Sequence, residues 1–212
     1  DGDPDGIYFE GDRVVGKSID SLPWAERAPA LRASGVGYVV AQGDLPPPYR
    51  RLAVLAADRG VSIYRLEDAA PSVRVGTRLL PAVQFEDVVP LFGRADYDPL
   101  RDVVVMVSGG TIQGTALPSR VEVVEETTTR LLARVEAPAE AVLVWSRTFS
   151  PAWRASVDGR PATTRVADGH LLGVPLPAGT HEVEVRWSSA PLVAGAAVSL
   201  LGLAALVLLR RA

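Results

Sequence analysis

From Asp102 to Trp187 the chain is divided into short β-prone runs separated by Gly or Pro. They recur about every eight to twelve residues, the spacing of strands in a two-sheet antiparallel sandwich. The runs are VVVMV at 103–107, RVEVVEE at 120–126, TRLLARVEA at 129–137, AVLVWSRTF at 141–149, WRASVDG at 153–159, ATTRVA at 162–167, LLGVPL at 171–176 and HEVEVRW at 181–187. In the last of these, Val183, Val185 and Trp187 alternate with Glu182, Glu184 and Arg186. A period of two puts the first set on a core face and the second in solvent.

The upstream part reads differently. Residues 24–34 (WAERAPALRAS) have helical spacing, with a break expected at Pro29 and a stop at Gly35. Residues 36–41 (VGYVVA) predict a buried strand, and the GDLPPP that follows is turn and polyproline chemistry. Residues 62–66 (SIYRL) alternate as a strand, whereas 49–59 fit either a strand entering a turn or a short helix before Gly60. A second short helix is expected over 82–92, cut by Pro90 and followed by an Asp/Gly-rich loop to Leu100. The expected class is α+β, with an α/β segment over 1–100, an antiparallel β-sandwich over 102–187 and a transmembrane helix over 190–209.

That last element rests on residues 191–209 (PLVAGAAVSLLGLAALVLL), a 19-residue run with no charge, followed by Arg210 and Arg211. At about 1.5 Å per residue it makes a helix of roughly 28 Å, enough to cross a bilayer core. Arginines beside a membrane helix stay cytoplasmic, which places the C-terminus inside and residues 1–187 outside. Trp187 precedes the run, where an indole suits the membrane interface. With no initiator Met and no signal peptide at Asp1, such a topology needs an earlier export signal, so the chain reads as the tail of something longer.

Charge and cysteine content narrow the function classes. The net charge is −3 and Lys17 is the single lysine. Without a cationic block there is no electrostatic footprint for nucleic acid. Cysteine is absent, which removes disulfides, thiolate nucleophiles and Cys-ligated zinc, and a bacterial exported domain fits best.

Motifs with chemistry are sparse. Asp1, Asp3, Asp5, Gly6 and Asp12 follow the spacing of a calcium-binding loop, but Pro4 intrudes and Asp12 is shorter than the bidentate Glu such loops use. A solvated acidic terminus is the preferred reading. Residues 176–180 (LPAGT) approach a cell-wall sorting signal with its last two residues inverted, and read better as a hairpin turn. His170 and His181 stand in no metal-ligating spacing, and Ser108 beside Gly109 and Gly110 reads as a turn. Of the carboxylate pairs, Glu125 and Glu126 should point to opposite faces of a strand, while Asp96 and Asp98 read as solvated surface charge. No catalytic residue, metal or cofactor is expected, and Trp153 is the one candidate binding residue, as a sugar-stacking platform if exposed.

The stretch FSPAWRASVDG at 149–159, continued by GVPLPAGTH at 173–181, resembles the C-terminal region of bacterial YfhO-type membrane proteins. The resemblance is carried by Phe149, Pro151, Trp153, Val157, Asp158 and Gly159, then by Gly173, Val174, the Leu-Pro-Ala-Gly of 176–179 and His181; Ala152 stands where the family carries Gly. GVGYVV at 35–40, Tyr64-Arg65 and Tyr97-Asp98-Pro99 extend it more weakly upstream. It implies a multi-pass membrane protein related to glycosyltransferases that use lipid-linked sugars. The catalytic carboxylates of that class lie near the first membrane helices, outside this chain. The implied partners are the membrane, the upstream transmembrane region of the same protein, and a lipid-linked sugar or envelope glycan. The implied role is supporting cell-envelope glycan assembly without catalysis. The alternative is a single-pass surface module that binds protein or carbohydrate.

Overall fold

The computed structural model describes residues 19–106 and 117–189 together with residues 114, 195 and 199. Of these, 50% are strand and 16% helix, so the fold is mostly β. Two large sheets face each other. One is five-stranded and wholly antiparallel, in the order β11 (Arg160–Ala162), β10 (Trp153–Val157), β14 (Gly179–Trp187), β8 (Arg130–Ala137), β7 (Arg120–Glu126). The other is six-stranded, in the order β4 (Val73–Gly76), β9 (Ala141–Thr148), β13 (Leu171–Leu176), β12 (Arg165–Ala167), β6 (Asp102–Met106), β5 (Arg78–Ala82), and its β5–β6 pair is parallel.

Alternation explains the first sheet and its failure explains the second. On β8, Leu131, Ala133, Val135 and Ala137 are buried and alternate with more exposed residues, because one face meets the partner sheet and the other meets water. On β9 the run from Ala141 to Trp145 is buried throughout. Leu143 and Trp145 join the core between the sheets, while Val142 and Val144 pack behind the six-stranded sheet with Val103, Ala167 and Leu171. A strand covered on both faces reads as a continuous apolar run.

The sheets do not divide at residue 100. β4 pairs with β9 and β5 with β6, so two strands from the upstream segment complete the six-stranded sheet. The helix expected over 82–92 is correspondingly shorter: after β5 come a 3-10 turn (Phe85–Asp87) and α2 (Val88–Phe92). The remaining upstream segment is not α/β with parallel strands. β1 (Tyr38–Gln42), β3 (Val61–Leu66) and β2 (Tyr49–Ala56) form a separate three-stranded antiparallel sheet in that order. The connection from β2 to β3, residues 57–60, is too short for the crossover that a parallel pair needs. Its inner face packs Tyr49, Tyr64 and Leu66 against Ala28 and Leu31 of α1 (Trp24–Ala33), which continues through Pro29. Residues 49–59 resolve as β2 followed by a 3-10 turn (Ala57–Arg59).

Two turns differ in kind. Asp158 and Gly159 both have positive φ, 51° and 73°, and join β10 to β11 as a two-residue hairpin. The hairpin turn expected at Pro177 to Gly179 is not one, and Gly179 already belongs to β14 while Pro177 and Ala178 form the connection. These two carry the chain from β13 in one sheet to β14 in the other, because β14 pairs with β8 and β10 rather than with β13. Among the described residues no helix is long and apolar enough to cross a membrane. The helix expected over 190–209 lies outside them apart from residues 195 and 199, as do the Asp-rich loop at 1–12 and Ser108.

Candidate functional site

The facing sheets have two unlike ends. At one, Trp153 and Trp187 are cross-strand partners on β10 and β14. Their rings meet edge to face at 4.9 Å, and Trp153 meets Trp145 of β9 at 5.1 Å. Trp153 is 5% exposed and donates its indole N–H to the Thr148 carbonyl at 3.1 Å. It is thus a core residue, with its ring held between Trp145 and Trp187, and it is not the exposed stacking platform considered for sugar. Trp145 donates to Glu126 Oε1 at 2.9 Å, and Ser72 donates to Glu126 Oε2 at 2.9 Å. Glu125 turns the other way and pairs with Arg130, so the two glutamates diverge. Trp187, by contrast, is 42% exposed, and the Ser188 N–H bonds the Ala152 carbonyl at 3.0 Å where the chain leaves the sheet. Arg147 and Arg154 lie at this end and make no ion pair among the described residues; Arg147 stacks 5.4 Å from the Trp145 ring.

At the opposite end the Asp158 carboxylate clamps the start of β14. It accepts the Glu182 N–H at 2.9 Å through Oδ1 and the His181 Nδ1–H at 2.8 Å through Oδ2. An ionised carboxylate only accepts, so Nδ1 carries the hydrogen. The His181 hydrogen bond, with the Glu182 N–H, holds the Asp158 carboxyl below its ordinary range. Asp158 and His181, 23 residues apart, are both motif residues, and the structure brings them into contact. His170 is separate and its Nδ1 lies 3.1 Å from the Asp168 carbonyl. A cleft of about 380 Å³ lined by Pro118, Arg120, Glu136, Pro138 and Thr180 opens near the start of β14.

Sequence reasoning missed a buried ionic network behind the six-stranded sheet. Arg74 of β4 is buried, pairs with the fully buried Asp168 carboxylate, and donates to the Asp102 carbonyl at 2.9 Å. Asp168 also accepts the Val104 N–H at 2.8 Å. Arg78 donates to Asp102 Oδ1 at 2.7 Å and to the Asp96 carboxylate at 3.1 Å, so Asp96 belongs to this network while Asp98 pairs with Arg101. Burial raises the Asp168 carboxyl, against the pull of Arg74 and the Val104 N–H. Burial also pushes the Tyr97 hydroxyl well up, and that hydroxyl has no hydrogen-bond partner among the described residues. The carboxylates are occupied by guanidinium and backbone N–H groups, so the network ties β4, β5, β6 and the β12–β13 turn together. The only signal in sequence was the scattered arginines, whose partners lie 24 and 94 residues away.

A groove of about 580 Å³ runs between α1 and α2, lined by Leu22, Pro29, Ala30, Val89 and Phe92 with Glu26 and Glu86 as its charged members. Among the described residues no group of three or more His, Asp or Glu is placed to hold a metal ion. The chain matches no family model, and no curated protein or solved structure shows significant similarity to it.

Proposed function

We propose that this chain is the outward-facing C-terminal part of a YfhO-like bacterial membrane protein related to lipid-linked-sugar glycosyltransferases, and that it supports cell-envelope glycan assembly without catalysing it. The observation that carries the reading is the uncharged run at 191–209 with Arg210 and Arg211 behind it. In its support, β14 delivers the chain to Ser188 beside the half-exposed Trp187, just ahead of that run. The contact between Asp158 and His181 gives the motif residues a shared structural task, and supports reading them as fold determinants. The upstream membrane region of the same protein is the partner, and a lipid-linked sugar or envelope glycan is the material handled.

Topology tests this directly, since the chain has no native cysteine. In intact cells a membrane-impermeant maleimide should label Glu140→Cys, and should reach Ala212→Cys only after permeabilisation. The reverse pattern overturns the orientation. Deleting residues 1–187 from the full-length parent should impair glycan transfer or glycan binding, and unchanged transfer and binding would count against the supporting role.

The groove between α1 and α2 favours a second reading, a single-pass module that binds a protein or carbohydrate. The coding sequence upstream separates the two. Several hundred further residues with many apolar spans favour the first, and a signal peptide shortly before Asp1 favours the second.

A further inference from the structure

The three-stranded sheet buries only one of its faces. On β1 the exposed residues are Tyr38 at 64%, Val40 at 61% and Gln42, alternating with Val39 and Ala41 on the α1 side. Val40 stands opposite Ile63 on β3, and Ile63 opposite Ala53 on β2, so one apolar row crosses the sheet. Register shifts in β2 add Leu52 and Leu55 as exposed residues beside it, Leu55 at 57%. Contiguous exposed apolar surface of this kind marks a contact site, whereas single exposed apolar residues need no explanation.

The sheet hangs from the end of the molecule where the chain departs toward its uncharged run. The Cβ position of Gly35, just before β1, lies 3.0 Å from Ser146 Oγ of β9, and the Ser146 N–H bonds the Ser72 carbonyl at 2.7 Å. Trp145, Trp153 and Trp187 continue from there by ring contacts to Ser188. Arg50 and Arg65 are paired across β2 and β3 on the same outer face, and share Glu67 as their ion-pair partner. An apolar row edged by guanidinium groups matches the acyl boundary and phosphates of a lipid headgroup layer.

We propose that this outer face, built on Tyr38, Val40, Ile63 and Leu55, rests on the bilayer surface and gives the folded body a second membrane contact besides its C-terminal run. The inference depends on the membrane-anchored reading above. A bilayer is the occupant because the 19 uncharged residues at 191–209 begin three residues after Ser188, at the same end of the body.

The test uses the full chain in liposomes of phosphatidylcholine and phosphatidylglycerol, with an environment-sensitive fluorophore on single cysteines. Val40→Cys and Leu55→Cys should be quenched by headgroup-level spin-labelled lipid several-fold more than Glu140→Cys at the far end, while Ala204→Cys is quenched by lipid labelled deep in the acyl chain. Quenching at Ala204→Cys with none above the Glu140→Cys level at the two sheet sites overturns the docked sheet and leaves the anchor standing. An unquenched Ala204→Cys removes the anchored reading and this inference with it. Disulfide-linked dimers of Val40→Cys without lipid quenching would assign the face to a second copy of the chain and overturn the proposal. The sheet sites are exposed, so an unchanged urea midpoint for each variant keeps misfolding from imitating a negative result.

Discussion

Two tryptophans in ring contact are placed to have opposite consequences. Trp153 is almost fully buried and keeps its indole N–H bonded to Thr148, so Trp153→Ala should cost about 3–5 kcal/mol in urea denaturation. Trp187→Ala removes a half-exposed ring and should cost clearly less, while weakening membrane retention if the run at 191–209 is an anchor. The sequence identified both residues but could not tell which was inside, because alternation along β14 alone puts Trp187 with Val183 and Val185. It lies at the end of the strand, where the partner sheet no longer covers it. Asp158 makes a pH-dependent prediction. Its carboxyl titrates below the ordinary value when folded, so the stability it adds is present above about pH 4 and is lost as pH falls through the lowered value. Asp158→Asn should therefore be less stable than wild type near neutrality and converge on it in acid, as read by urea midpoints across that range.

At the scale of elements, β4 is the strand with least tolerance. Gly76 lies against β6 so closely that a Cβ would overlap Val103 Cγ2 and stand 3.1 Å from the Arg101 carbonyl. Gly76→Ala should cost about 1–3 kcal/mol by overpacking, measured as a shift in urea midpoint without a change in slope. On the same strand Arg74→Met strands the Asp168 charge in the interior, at about 3–5 kcal/mol near neutral pH. Because burial raises the Asp168 carboxyl, protonation favours the folded state, and that penalty should shrink as pH is lowered. Most strands from 120 onward were legible because they have an apolar period or run bounded by turn residues, but the run expected at 162–167 divides between β11 in one sheet and β12 in the other. β4 and β5 were not, since SVRVGTRLLPA contains a buried arginine, a glycine chosen for close approach, and Pro81 inside a strand. Pro29 misled in the other direction. One lost helical hydrogen bond is offset locally by burying Ala28, Ala30 and Ala33, and α1 runs on.

At the scale of the whole molecule, the expected cut at residue 100 failed because sheet membership is a long-range property. Nothing local in 73–82 announces a partner at 102–106 or 141–148. The two ends of the facing sheets differ in character, with tryptophans and the chain exit at one and the Asp158 clamp at the other. If the run at 191–209 anchors the protein, a chain ending at Ser189 should move from the detergent phase to the aqueous phase on partitioning. It should keep a weak affinity for liposomes that the Val40→Asp/Leu55→Asp variant loses, measured by vesicle co-sedimentation. The last strand has a mechanical consequence as well. β14 lies in the interior of its sheet, in register with β8 from Gly179 to Arg186 and with β10 from Val183 to Trp187. Tension entering at Ser188 therefore loads two ladders of hydrogen bonds in shear at once, rather than unzipping a free margin bond by bond. β14 is an interior strand of that sheet, so if the run at 191–209 anchors the protein, displacement of the anchor is transmitted to the body as rigid motion.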